Sequence, residues 1–407
     1  MANPTITVEV DAPSTIDGTY LTIGSGSVIG TSLVAGSPIW ADRTAYVREF
    51  SISAGSGSQQ MVWSADAGTA TVVFDNLTRL FDWNTQTDIR PGRPIRIRAT
   101  WNAVTYDLFR GTVEMWAPEY GGFAKDATVV AECVDGIALL ATAQLSSSTP
   151  EERTGYRIRR LANLVDWSPN LRDIDDGVSS MPAGQQTSSA WDSMQLAAIS
   201  EYGELYVAPD GKLTFRDRNA LWTEARTQTS QATFGDQAGE LKYAELEPVG
   251  ADTSAIRNKI TIVYNEQNGE VSWSDGESVT SWGVRDEQLQ VSLTDSGTAS
   301  SYAKFLLTQY ADPQFTFGSI TIVPRADPSN LWPQVLGRKL GDRITIKLTP
   351  PGGGARITRE AFIRSVEHSV TPGFDWSTTF GLADASYFPA VFVVGDDVGD
   401  SSVTIGW

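Results

Sequence analysis

Cysteine and histidine are almost missing from this sequence: one of each stands among 407 residues. A lone Cys excludes an internal disulfide, so the fold does not need an oxidising compartment. One His with one Cys cannot supply the ligands of a typical zinc hydrolase site. Basic residues are scarce too: 31 Lys and Arg stand against 49 Asp and Glu, for a net charge of −18. Phosphate recognition needs clustered cations, so no sequence-specific nucleic-acid binding is expected. The same charge repels an anionic membrane surface. No apolar run approaches the ~20 residues that span a bilayer. The start, "MANPTITVEV", has neither the basic nor the apolar region of a signal peptide. A soluble protein assembled in a cytoplasm, with no membrane partner, is the expectation.

What is there is β structure. Gly (36) and Ser are plentiful, and β-branched residues and Trp come in short runs. Residues 1–147 alternate apolar and polar positions in "TITVEVD", "YVREFSIS", "TATVVFDN", "PIRIRATW", "YDLFRGTVEMW" and "ATVVAECVD". We read this as an N-terminal β-barrel unit. Residues 148–232 read as a small α+β insert. One helix there carries Ile158, Leu161, Leu164 and Val165 and stops before Pro169; a second starts at Ser189 with Asp192 closing a capping box. Asp210-Gly211 then marks a tight hairpin. Residues 233–300 return to strands. Residues 301–388 read as a leading helix, 301–312, and a C-terminal β barrel, and 389–407 as a tail. The expected fold is mainly β, with two related β-barrel domains flanking the α+β insert.

The two barrels are paired because the chain repeats a phrase. "GRPIRIRATWNAVTYDLFRGTVE" (92–114) and "GDRITIKLTPPGGGARITREAFIRSVE" (341–367) share a frame. Gly92, Ile95, Ile97, Phe109, Val113 and Glu114 are matched to Gly341, Ile344, Ile346, Phe362, Val366 and Glu367.

Candidate chemistry is thin. Cys133 alternates with Val129 and Ala131, and His368 with Phe362, Val366 and Val370, so both read as structural rather than as a nucleophilic pair. Asp173 and Asp175 begin a calcium-loop spacing, but the Gly comes too early and no Glu follows at the right distance. "GDDVGDSS" (395–402) reads as an acidic tail. Paired carboxylates of a glycosidase find candidates in Glu114, Glu119 and Asp126, yet Glu114 lies inside the repeated phrase. The 13 Trp are spread through all segments, which suits cores and interfaces better than a sugar site. "GSGSVIG" (24–30) misses the dinucleotide spacing. No catalytic, cofactor-binding or metal-ligating residue, and no cofactor, is assigned.

Several segments, in order, resemble the minor tail or tail-hub (baseplate hub) proteins of long-tailed phages, especially those of actinobacterial hosts. They are "TATVVFDNLTRLFDW" (69–83), "IRPGRPIRIRATW" (89–101), "YDLFRGTVEMW" (106–116) and "SAWDSMQLAAISEYGELYVAPDGKLTFRDR" (189–218). "IRNKITIVY" (256–264), "ESVTSWGVRD" (277–286), "AKFLLTQYADP" (303–313) and "LGDRITIKL" (340–348) continue the series. The resemblance implies a non-enzymatic virion protein at the tail tip, forming a homotrimer with two barrels per subunit in a ring of six. Implied partners are a distal tail or tail tube protein ring, the tape measure protein and other tail-tip proteins. Alternatives are a distal-tail or receptor- or carbohydrate-binding tail component, or a tail-associated cell-wall hydrolase. The first forty residues and the final tail match nothing in the family.

Overall fold

The alternating runs become strands, and residues at positive φ turn the chain between them. Asn102 and Ala103 (φ 48 and 64) make a two-residue link between β5 (Pro94–Trp101) and β6 (Val104–Tyr120). The computed structural model describes residues 3–11, 38–56, 61–82, 86, 89–121, 126–250, 253–264, 269–313, 315–371 and 375–385.

The N-terminal part also supplies β1 (Thr5–Asp11), β2 (Trp40–Asp42), β3 (Val47–Gly55), β4 (Asp66–Asp75) and β7 (Ala127–Val134), followed by helix α1 (Gly136–Thr142). The insert holds four short strands, β8 (Ser147–Thr149), β9 (Glu152–Arg153), β11 (Ser180–Met181) and β12 (Gly184–Gln186). It also holds β10 (Arg172–Ile174), β13 (Glu204–Val207) and β14 (Leu213–Arg216). Its helices are α2 (Thr154–Leu164), α3 (Ala190–Glu201), α4 (Arg218–Thr223) and α5 (Ala225–Gln228). Ser189 caps α3 by accepting from the Asp192 N–H, and Asp210-Gly211 turns β13 into β14, as the sequence reads.

Next come β15 (Thr233–Gly235), β16 (Glu245–Val249), β17 (Lys259–Tyr264), β18 (Gly269–Ser274) and β19 (Asp286–Gln290). Helix α6 (Gly276–Trp282) lies between β18 and β19. β20 (Thr316–Ile322), β21 (Arg343–Leu348), β22 (Ile357–Thr371) and β23 (Asp375–Asp384) finish the described chain, with α7 (Ser296–Tyr310) before β20 and α8 (Pro328–Gly337) before β21. Helix α7 starts five residues earlier than the expected 301, where Asp295 accepts from the Thr298 N–H. It packs on β17 and β18 rather than leading the last β unit, and encloses Ile260, Ile262 and Leu306 in a small core.

Among the described residues thirteen strands form one largely antiparallel sheet, ordered β16-β20-β23-β22-β3-β4-β7-β6-β5-β1-β2, with β21 and β15 branching from β22. No closed barrel appears among them, which corrects the expectation of two. The two β units are instead joined side by side: β22 pairs with β3, Ser365 opposite Gly55 through Val370 opposite Phe50. The core is shared in consequence. Phe50, Ile52, Ile95, Ile97 and Phe109 of the first unit and Ile344, Ile346, Ile363, Val370 and Trp376 of the second belong to one buried cluster. Helix α8 lies over the junction, with the Trp332 ring 6.0 Å from Trp101 on one side and 5.2 Å from Trp376 on the other.

The repeated phrase is a repeated strand order, in a register the residue identities do not give. The Gly92 N–H donates to the Val113 carbonyl, and the Gly341 N–H to that of Ile363. Ile95 stands opposite Gly111 and Ile344 opposite Ala361. Both long strands then bulge at the next residue, Glu114 in β6 and Arg364 in β22. Val113 therefore matches Ile363, not Val366. The Phe109–Phe362 and Glu114–Glu367 matches are corrected by three residues. An odd shift exchanges faces. Phe109 enters the shared core, whereas Phe362 packs under Leu221 and Trp222 of the insert. The bulge also puts Phe362 on the opposite face from Val366 and His368.

Residues 12–37 of the unmatched N-terminal segment and the tail 389–407 lie outside the described residues.

Candidate assembly site

Among the described residues the matched units leave two strand edges open. β5 covers β6 only as far as Pro94 opposite Thr112. Beyond the bulge, Met115–Tyr120 pairs, among the described residues, with β7 alone. Met115 and Tyr120 are 45% and 65% exposed, a high value for apolar groups on a strand. At the far end of the sheet β16 pairs, among the described residues, with β20 alone. Both edges carry a proline, Pro118 and Pro248, and both are acidic: Glu119 accepts from the Thr128 hydroxyl at 3.3 Å and Glu247 from that of Ser319 at 3.0 Å. A proline cannot donate to a ladder and belongs on an edge. In the sequence these two prolines, each inside an alternating run, were the legible sign of edges that the barrel reading passed over.

Between the sheet and the insert lies a cleft of about 550 Å³. Its walls carry Asp107, Asp173, Asp210, Arg216, Arg226 and Arg338. Burial, and then the nearby Asp210 charge, push the Asp107 carboxyl above its ordinary value. The buried Glu204 of β13 is paired with Arg364, the bulge residue of β22. Arg226 reaches Glu204 at 3.8 Å and donates to the Leu340 carbonyl at 2.6 Å. Arg364 also lies 5.4 Å from the Trp63 ring. Acids and bases answer one another across this cleft. The Glu204–Arg364 ion pair fastens the insert to the sheet.

The residues weighed for chemistry are apart. Cys133 is buried on β7, its thiol pushed up by burial and by Glu132 and Glu114. His368 is buried on β22, with β3 and β4 between the two strands. Its Nδ1 is 2.8 Å from the Thr378 hydroxyl and accepts from the Trp376 indole at 3.4 Å, and burial holds it down to about 4. Asp173 and Asp175 both face Arg216. Asp126 pairs with Arg48 at 2.6 Å. Among the described residues no cluster of His, Cys, Asp or Glu is arranged to hold a metal ion.

No protein-family model matches the sequence, nor does any curated protein sequence. Solved structures do match. The tail protein from Neisseria meningitidis MC58 superposes with a TM-score of 0.60 at 12% identity, over 94% of this chain and 98% of its own. The fold is a tail-protein fold. The 43 kDa tail protein of prophage MuSo2 from Shewanella oneidensis has it too, with a TM-score of 0.55 at 11% identity over 95% and 99% of the two chains. A chain of the Francisella PdpA-VgrG complex matches 97% of this chain with 60% of its own, at 10% identity and a TM-score of 0.52. At these identities what is shared is the fold.

Proposed function

We propose that this chain is a structural tail protein of a phage, the hub that joins the tail tube to the tail tip. The observation that carries the reading is a doubled strand unit, set side by side in one sheet, in a fold shared end to end with two tail proteins. A six-fold tube meeting a three-fold tip needs an adaptor with faces of both symmetries. Three copies of a chain with two matched units present six similar faces. The net charge of −18 per copy would let DNA pass a lumen without adhering. In this reading the homotrimer contacts a tail tube or distal tail ring above, the tape measure protein within and other tip proteins below. It does no catalysis and resides in the virion tail.

The test is location. An affinity tag placed in the Pro350–Gly354 loop and decorated with gold should mark the end of the tail distal to the head in electron micrographs. Gold on the head, along the whole tube, or on no virion part overturns the reading.

A further inference from the structure

The cleft between the sheet and the insert is lined by polar groups that the fold itself does not use. His368 lines it and is 5% exposed. Trp376 donates to its Nδ1 at 3.4 Å, so the proton of the neutral ring is on Nε2. Nε2 has no hydrogen-bond partner among the described residues, yet it is not sealed in protein. Tyr206 of β13 lines the same cleft and is 6% exposed. Its ring packs edge-on against Trp63, 6.0 Å away, and its hydroxyl is likewise without a partner among the described residues and unsealed. Buried polar groups nearly always have partners. Two such groups on one cavity are what a ligand would complete.

The charges around them select its chemistry. Three lining carboxylates are already held: Asp173 by Arg216, Asp210 by Lys212 and Glu224 by Arg226. Only Asp107, which is exposed, has no ion pair among the described residues. Lys339 also lines the cleft and enters no ion pair among the described residues. The spare groups are therefore mostly donors: an imidazole N–H, a hydroxyl and an ammonium. Ile52, Leu108, Leu340 and Val366 make the rest of the lining apolar. A volume of about 550 Å³ lies in the range of small-molecule sites, which favour domain interfaces and set a few fixed polar groups in apolar walls. We infer that this cleft binds a small organic carboxylate, its apolar body against Ile52, Leu108 and Val366 and its oxygens accepting from His368, Tyr206 and Lys339. Such a ligand touches the sheet through His368 and the insert through Tyr206, and so adds to the hold that Glu204 and Arg364 already provide. The site stands whether or not the chain is a tail hub.

The single histidine makes the test direct. Full-length protein isotope-labelled only at histidine nitrogen gives one imidazole, whose Nε2–H resonance reports on the cleft. The probe is phenylbutyrate, with phenylbutanol as its uncharged counterpart. Phenylbutyrate should move that resonance along a saturating curve and raise the melting temperature as it does so. Phenylbutanol should bind about tenfold more weakly. Tyr206→Phe removes only a hydroxyl. It should melt close to the parent and bind phenylbutyrate about tenfold more weakly. Lys339→Gln should weaken binding about threefold. N-acetyl-Leu-Phe, as acid and as amide, separates two sources of the same chemistry. Tighter binding of the dipeptide acid than of phenylbutyrate assigns the cleft to a polypeptide C-terminus, and weaker binding assigns it to a free acid. A shift that stays linear with both acids, equal binding of acid and alcohol, or a folded Tyr206→Phe chain that binds as the parent does overturns the site.

Discussion

The His368 imidazole sits where the two units meet, beside Trp376 and opposite Ile52 of β3. The ring is enclosed there, so burial disfavours its charged form. With a folded pKa of about 4 against an ordinary value of about 6.5, the sign follows. Stability from the neutral ring is fully present above about pH 6.5 and is lost as pH falls towards 4. His368→Gln keeps an acceptor for Trp376 and removes the titration. We expect the difference in unfolding free energy between parent and variant to change by on the order of 1–3 kcal/mol from pH 7 to pH 4, read from urea midpoints. Parallel pH profiles would refute it. Its burial was legible from its alternation with Val366 and Val370. The partners Thr378 and Trp376 were not, because a bulge four residues earlier resets which neighbours share that face.

Among the elements, the β3–β22 joint is one that a single added atom would strain. Gly55 ends it at φ +87, and an added Cβ would meet the Arg364 carbonyl oxygen at 2.2 Å. Gly92 has a similar φ of +82 but nothing within 4 Å. Gly92→Ala should cost only the left-handed strain, about 1–2 kcal/mol. Gly55→Ala adds a backbone clash and should cost about 3 kcal/mol or more, with faster amide exchange along Phe50–Gly55. Equal costs for the two would show that the joint yields without loss. The repeated phrase in the sequence matched Gly92 with Gly341 and the Ile pairs correctly. It misplaced Phe362 by three because side-chain identity was matched across two connections of unequal length, and the backbone bonds of Gly92 and Gly341 set the register instead. Helix α8 went unread because Pro328, Pro333 and Gly337 mask it. Pro328 stands in its first turn, where no N–H is needed.

For the whole molecule the shared core predicts shared fate. Val72 lies in the first unit and Ile346 in the second, both fully buried in the same cluster. Val72→Ala and Ile346→Ala should each cost about 2–4 kcal/mol and each lower the midpoint of one common transition, seen alike by Trp101 and Trp376 fluorescence in single-Trp backgrounds. One unit melting while the other stays folded would contradict a continuous sheet.

The sequence by itself determined the class of the molecule: strand-rich, acidic, without a disulfide, with an α+β insert and a strand order used twice. Those features are written locally, in alternation, caps, turn residues and charge. Only the tertiary structure decided that the two units share one sheet and one core, and which edges are left over. Strand pairing between residues 50 and 370 is set by backbone bonds and bulges spanning most of the chain, and no local pattern of side chains encodes it.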